Sequence, residues 1–235
     1  MPDEIRELFF GSPVWGIVVT LAAYLIGIWV NRKTKSTVLQ PILIAAALII
    51  SFLMLTGTEF EEYNQQNQIL NYILSLTAVV LAVPLYRNLD LLKKYALPVL
   101  AGVACGTAAT IAVVIVMGRL MGTEHSILVS MIPKSATNPI AVPVSEIIGG
   151  NPTLTLAMVV IVGIGGAVAG PELLKGMGVK NPVAKGIAMG TISHAVGTSR
   201  AFREGEIQGA MSSLAMALAG ALTAFLAPLA ASLLQ

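Results

Sequence analysis

Residues 126–150 read SILVSMIPKSATNPIAVPVSEIIGG. The stretch is apolar at both ends, yet Pro133, Lys134, Pro139 and Pro143 break its middle. Proline removes backbone hydrogen bonds, and a central cation is costly in hydrocarbon, so this is not one continuous spanning helix. A second stretch of the same kind, residues 185–210, is interrupted by His194, the Gly197-Thr198-Ser199 run, Arg200 and Arg203. Each is either a re-entrant hairpin that enters and leaves on one side or a broken helix that crosses.

The rest of the chain names the solvent. Of 235 residues, 56% are apolar and 11% charged, and the mean hydropathy is +0.83. A water-soluble domain is about 25% charged. Six charge-free runs stand out: Leu8–Asn31, Ser36–Thr58, Tyr63–Tyr86, Tyr95–Gly118, Ile147–Pro171 and Ile207–Gln235. Each exceeds the roughly 20 residues that cross a ~30 Å hydrocarbon layer as a helix. The expected fold is an all-α polytopic membrane protein of about six full spans plus the two interrupted segments. A soluble enzyme, a nucleic-acid binder (net charge +2, no basic block) and a disulfide-stapled secreted domain are excluded. Cys105 lies inside an apolar run without a partner in the chain and reads as a packing residue. The N-terminus, MPDEIREL, is acidic where a cleavable signal would be basic, so the first run is expected to be retained.

Lys and Arg mark the cytoplasmic side. Arg32, Lys33 and Lys35, then Arg87, Lys93 and Lys94, place two turns inside; Glu59, Glu61 and Glu62 place the intervening loop, and with it the N-terminus, outside. If residues 126–150 are re-entrant, ten Lys and Arg lie inside and two outside, with Lys134 and Arg200 in the membrane. If they cross, the count is seven against five, so the bias favours the hairpin. A shift of 60 residues lays Ile127, Ile132, Ala141, Glu146, Ile147 and Gly149 on Ile187, Ile192, Ala201, Glu206, Ile207 and Gly209. One interrupted segment plus one span per unit makes an odd number of crossings and hence an inverted repeat, a frequent transporter architecture. The expected organisation is a single membrane domain over 1–235, with scaffold spans in 1–120 and repeat units in 126–174 and 184–234.

The two tips carry the chemistry. Irregular backbone at mid-depth survives only where it is buried in protein or lines a watery cavity. Helix N-termini are expected at Pro139 and near Arg200, and their positive ends favour an anion. Lys134 and Arg200 add two cations, with no acid inside either tip. Ser135, Thr137, Asn138, Ser193, His194, Thr198 and Ser199 add hydroxyl, amide and imidazole partners. The inferred ligand is a small carboxylate, which Arg grips bidentately and Lys meets as a point charge. His194 is the proton-coupling candidate, with a neutral hydrogen-bonding role as the alternative. Two bland readings stand beside these: Lys134 pairing with Glu146, and Arg200 reaching the surface beside Glu204 and Glu206. Gly163-Ile164-Gly165-Gly166 and the Gly102/Gly106 segment read as close helix packing rather than phosphate loops. No metal cluster, cofactor site or catalytic set is legible.

Ile132-Pro133-Lys134-Ser135, Thr137, Pro139-Ile140-Ala141, Ala188-Met189-Gly190-Thr191, Ser193-His194-Ala195, Gly197-Thr198 and Arg200-Ala201 together resemble the LrgB/CidB family of bacterial membrane proteins, represented also by YohK. Phe52-Leu53-Met54-Leu55-Thr56-Gly57 and Ala82-Val83-Pro84-Leu85-Tyr86 extend the resemblance over essentially the whole chain. Asn138 stands where a Thr is expected and Ser199 where Ala is common; both substitutions bear on substrate choice. The resemblance implies two roles. One is an antiholin-like regulator of murein hydrolases and autolysis, acting with a small LrgA/CidA-type partner. The other is suggested by a plastid relative that carries glycolate and glycerate, and by bacterial pairs linked to pyruvate. The combined expectation is a non-enzymatic secondary transporter of small mono- or hydroxycarboxylates in the bacterial inner membrane, homodimeric, with the lysis regulator as alternative.

Overall fold

The computed structural model describes residues 14–34, 36, 39–70, 72–73, 76 and 82–234. Every regular element among them is a helix. Among the described residues, four helices are long and apolar enough to cross a membrane: Trp15–Thr34, Ala96–Leu120, Pro152–Gly176 and Glu206–Ser232. A fifth crossing is counted if Pro41–Thr56 and Phe60–Gln66, bent by 119°, form one span. The span expected over Tyr63–Tyr86 falls largely outside the described residues.

The chain divides into two compact units, Met1–Ser75 and Leu76–Gln235. In the first, α1 (Trp15–Thr34) packs against α2 (Pro41–Thr56) and α3 (Phe60–Gln66). Pro41 at the first turn costs α2 no hydrogen bond, and Gly57, at φ 67°, stops it in the left-handed conformation that glycine tolerates. Trp15 stacks obliquely on Phe52 and Tyr63, and Thr20 shares a 2.6 Å hydroxyl hydrogen bond with Tyr63.

The second unit contains the short helices α4 (Ala82–Arg87) and α5 (Leu89–Lys94), then α6 (Ala96–Leu120), α7 (His125–Met131), α8 (Asn138–Ile147), α9 (Pro152–Gly176), α10 (Pro182–Glu204) and α11 (Glu206–Ser232). The sequence reading assigns α6 to a scaffold; the structure packs it in the same unit as both interrupted segments. Many small residues face inward on α11, beside the buried Met211 and Leu214. On α11, Ser212, Ala215, Ala219, Gly220, Thr223 and Ala227 are buried, while Phe225 is 74% exposed. Such small buried residues suit helices whose backbones approach closely, with side chains such as Phe225 left on the outer face. Cys105, expected to pack, is exposed.

Packing sets the directions of the helices. Val99 and Val103 of α6 join Met211, Leu214 and Ala215 of α11 in one apolar cluster; Ile111 and Val114 join Ala227 and Ala230 in another. The two helices are therefore parallel. We call the end where they begin the lower end. Thr155 of α9 bonds to Ser145 of α8, and Val159 packs on Ala141, so α9 runs against α8. Ile140 of α8 sits over Gly220 of α11, with Val144 joining the cluster of Ala227, so α8 rises beside α11.

Candidate functional site

Both interrupted segments are hairpins. The upper one descends through α7: Leu128 packs on Gly118 near the upper end of α6, and Ile132 joins Ile111. It turns at residues 132–137 and returns to the upper end through α8. A hydroxyl knot binds its two arms to α9. Thr155 Oγ1 lies 2.6 Å from Ser145 Oγ and 2.9 Å from the Ser130 carbonyl, and Ser130 Oγ accepts from the Asn151 N–H at 2.7 Å. All three side chains are fully buried.

The lower hairpin is α10 itself, whose backbone leaves the helical region at His194 (φ 40°, ψ −131°). Its rising arm lays Gly186 against Gln208 and Gly190 against the Ser212 carbonyl. The chain then reverses: a Cβ on Gly197 would lie 2.8 Å from the Met189 carbonyl, eight residues earlier. The falling arm places Thr198 on Ser212 and Phe202 on Gly209 before α11 begins at the same end. His194 occupies a near mirror image of the type II turn conformation, which glycine normally supplies. The local strain is on the order of 1–3 kcal/mol, borne by the surrounding packing.

The tips meet at Val159, seven residues into α9. Its side chain packs with Ala136 and Ala141 of the upper hairpin, and its carbonyl accepts a 2.9 Å hydrogen bond from His194 Nε2. A carbonyl only accepts, so Nε2 carries hydrogen in either protonation state and Nδ1 is the nitrogen left to titrate. Gly163 makes room for the imidazole and Gly166 for Ser193, which gives the glycine segment of α9 its packing role.

The expected site residues separate into three groups. Ser135, Thr137 and Asn138 sit at the upper tip with Oγ, Oγ1 and Oδ1 buried and unpaired, and half-buried Lys134 has no ion-pair partner among the described residues. Lys134 therefore does not pair with Glu146. Ser193, His194 and Thr198 are buried at the lower tip; Thr198 Oγ1 is 2.9 Å from Ser212 Oγ. Ser199 and Arg200 depart from expectation. The helix resumes at Ala195, not near Arg200, so Ser199 is exposed and donates to the Ala195 carbonyl. Arg200 lies one turn before Glu204 and pairs with it at 3.0 Å. It is a compensated cation on the falling arm, although its Nε is buried without a partner.

Sequence reasoning missed the knot of Ser130, Ser145 and Thr155, and also Ser212. Single hydroxyls in apolar helices look like ordinary small residues. The available signal was their number: three fall within 26 residues around one interrupted segment.

The LrgB-like family model matches residues 20–233. The chain belongs to the LrgB-like family. Two antiholin-like LrgB proteins, from Bacillus mycoides (strain KBAB4) and Bacillus cereus (strain B4264), are each 36% identical to it over 219 residues, covering 93% of this chain and 95% of the relative. No solved structure matches it. Membership and apolar helices together make this LrgB-like protein a membrane protein.

Proposed function

We propose that this protein is a secondary transporter of small mono- or hydroxycarboxylates, of the glycolate, glycerate, pyruvate or lactate class. One observation carries the reading: two hairpins from opposite ends of the bundle converge on Val159, and the upper tip holds three buried, unpaired polar atoms beside Lys134. Leaving a buried polar group unpaired costs about 1–3 kcal/mol, a penalty that a bound acid would relieve. The α8 N-terminus points its positive end at the same place. In this reading Lys134 neutralises the carboxylate, Ser135 and Thr137 donate to it, and Asn138, Ser193, His194 and Thr198 meet the remainder. Arg200 contributes less than Lys134, because Glu204 already holds it.

The two hairpins with α9 and α11 then form an inverted repeat within a membrane domain of about six crossings. Arg87, Lys93, Lys94, Lys175, Lys180, Lys185 and Arg203 all fall toward the lower end, with Arg119 near the upper, which supports a cytoplasmic lower end in a bacterial inner membrane. The N-terminus is then external, and a homodimer with a small LrgA/CidA-type partner fits the reading.

A second reading is supported by the relatives' printed name, which favours it over transport: an antiholin-like regulator of murein hydrolase activity. Purified protein in liposomes, assayed for uptake of labelled glycolate, pyruvate and lactate, separates the two. Uptake lost in Lys134→Ala supports the carrier; absence of uptake in wild type, with altered autolysis on deletion, supports the regulator.

A further inference from the structure

The hydroxyls in the helices of this protein have a default partner. Thr20, Thr34, Ser51, Thr56, Ser130 and Thr223 each donate to the carbonyl four residues earlier. Such back-bonding satisfies a hydroxyl wherever no better partner exists. Thr107 and Thr191 break the pattern. Each is 2% exposed, each lies inside a helix with that carbonyl in reach of its chain, and each leaves Oγ1 buried without a partner.

Their place in the bundle is specific. On the buried face of α6, Val99 and Val103 belong to the lower apolar cluster, and Ile111 and Val114 to the upper one. Thr107 lies between them and belongs to neither. Ile132, three residues before Ser135, joins the upper cluster with Ile111, one turn above Thr107. Thr191 packs against Gly106, where a Cβ would lie 2.9 Å from its Cγ2, and it precedes His194 by three residues. Two hydroxyls turned from their default bonds thus lie at the depth where both tips converge.

We propose that Thr107 and Thr191 contact the ligand of the same site, with α6 as its third wall, each hydroxyl hydrogen-bonding an oxygen of a small carboxylate. This rests on the transport reading above. Because a threonine hydroxyl both donates and accepts, the pair meets the carboxylate or another polar group of the acid.

The test uses the full-length protein in lipid nanodiscs, titrated calorimetrically with sodium glycolate and sodium acetate. Thr107→Val and Thr191→Val are expected to weaken binding of at least one acid about fivefold to tenfold each, the worth of one hydrogen bond. Thr→Ser at either position should keep near wild-type affinity, and Thr110→Val, whose hydroxyl bonds to the Thr107 carbonyl, should change nothing. Wild-type affinity in both valine variants overturns the inference alone, as does equal loss in the serine variants, which would mark a packing role. If a valine variant fails to fold, Thr→Ser against Thr→Ala at that position reads the hydroxyl instead. A folded wild type that binds neither acid, and takes up no labelled pyruvate or lactate either, overturns the transport reading and this inference with it.

Discussion

The upper hairpin turns over residues 132–137, whereas the lower one turns on His194 alone. At the upper tip Ser135, Thr137 and Asn138 are unpaired; at the lower tip His194 holds the Val159 carbonyl and Thr198 holds Ser212. The arms differ too. Hydroxyls tie the upper hairpin to α9, while the lower one lies backbone to backbone on α11 at Gly186 and Gly190. The difference is one of degree between similar shapes: the upper tip offers a cluster of unmet polar groups, whereas the strained lower tip has His194 and Thr198 already engaged and leaves Thr191 Oγ1 unmet on its rising arm.

Removing the close approach should break the comparison most severely. A side chain at Gly190 meets the Ser212 carbonyl, so Gly190→Val is expected to cost about 3 kcal/mol or more and abolish monodisperse protein on size-exclusion chromatography. Gly165→Ala, facing open space on α9, should elute as wild type. The next effect is on function. Lys134→Ala should weaken carboxylate binding about 10- to 100-fold, the worth of a hydrogen bond to a charged group. Arg200→Ala should cost less, because its charge is already met by Glu204; equal losses in titration would place both cations on the ligand.

Smaller effects sharpen the contrast between the arms. Thr155→Val removes the centre of the knot and should destabilise the protein by about 2 kcal/mol, read from thermal unfolding in detergent. Thr198→Val removes the bond to Ser212 and a long, weak one to Met216 Sδ and should cost about 1 kcal/mol. Least in magnitude is the turn itself. His194→Gly loses the Val159 bond but suits φ 40°, so it should be more stable than His194→Ala by about 1 kcal/mol. Equal stabilities would mean that the turn relaxes. If His194 carries a proton during transport, His194→Gln should flatten the pH dependence of uptake; an unchanged profile leaves the residue a structural support.

Much of this was legible because hydrocarbon is an unforgiving solvent. Pro133, Lys134 and Pro139 cannot continue a spanning helix, so the upper tip could be placed to within a residue or two. The lower tip was placed less well. Nothing in Ser193-His194-Ala195 forbids a helix, and the more polar residues that follow drew the expected break toward Arg200. The turn at His194 is accommodated where Gly190 lets the rising arm lie on the Ser212 carbonyl and Gly197 lets the falling arm pass the Met189 carbonyl, and the first of these contacts involves a neighbour distant in sequence.

The amino-acid pattern by itself determined an all-helical membrane protein with two interrupted segments and the polar groups of the upper tip. Solvent transfer and proline geometry act locally, and local rules can be read along a chain. Only tertiary structure decided that the lower segment turns at His194, that Ser199 faces outward, and that Thr107 and Thr191 stand unpaired at the depth of the tips. Whether a polar atom in an apolar interior is satisfied depends on which helix lies beside it, and in this bundle remote glycine contacts, such as Gly106 on Thr191 and Gly190 on Ser212, bring those helices together.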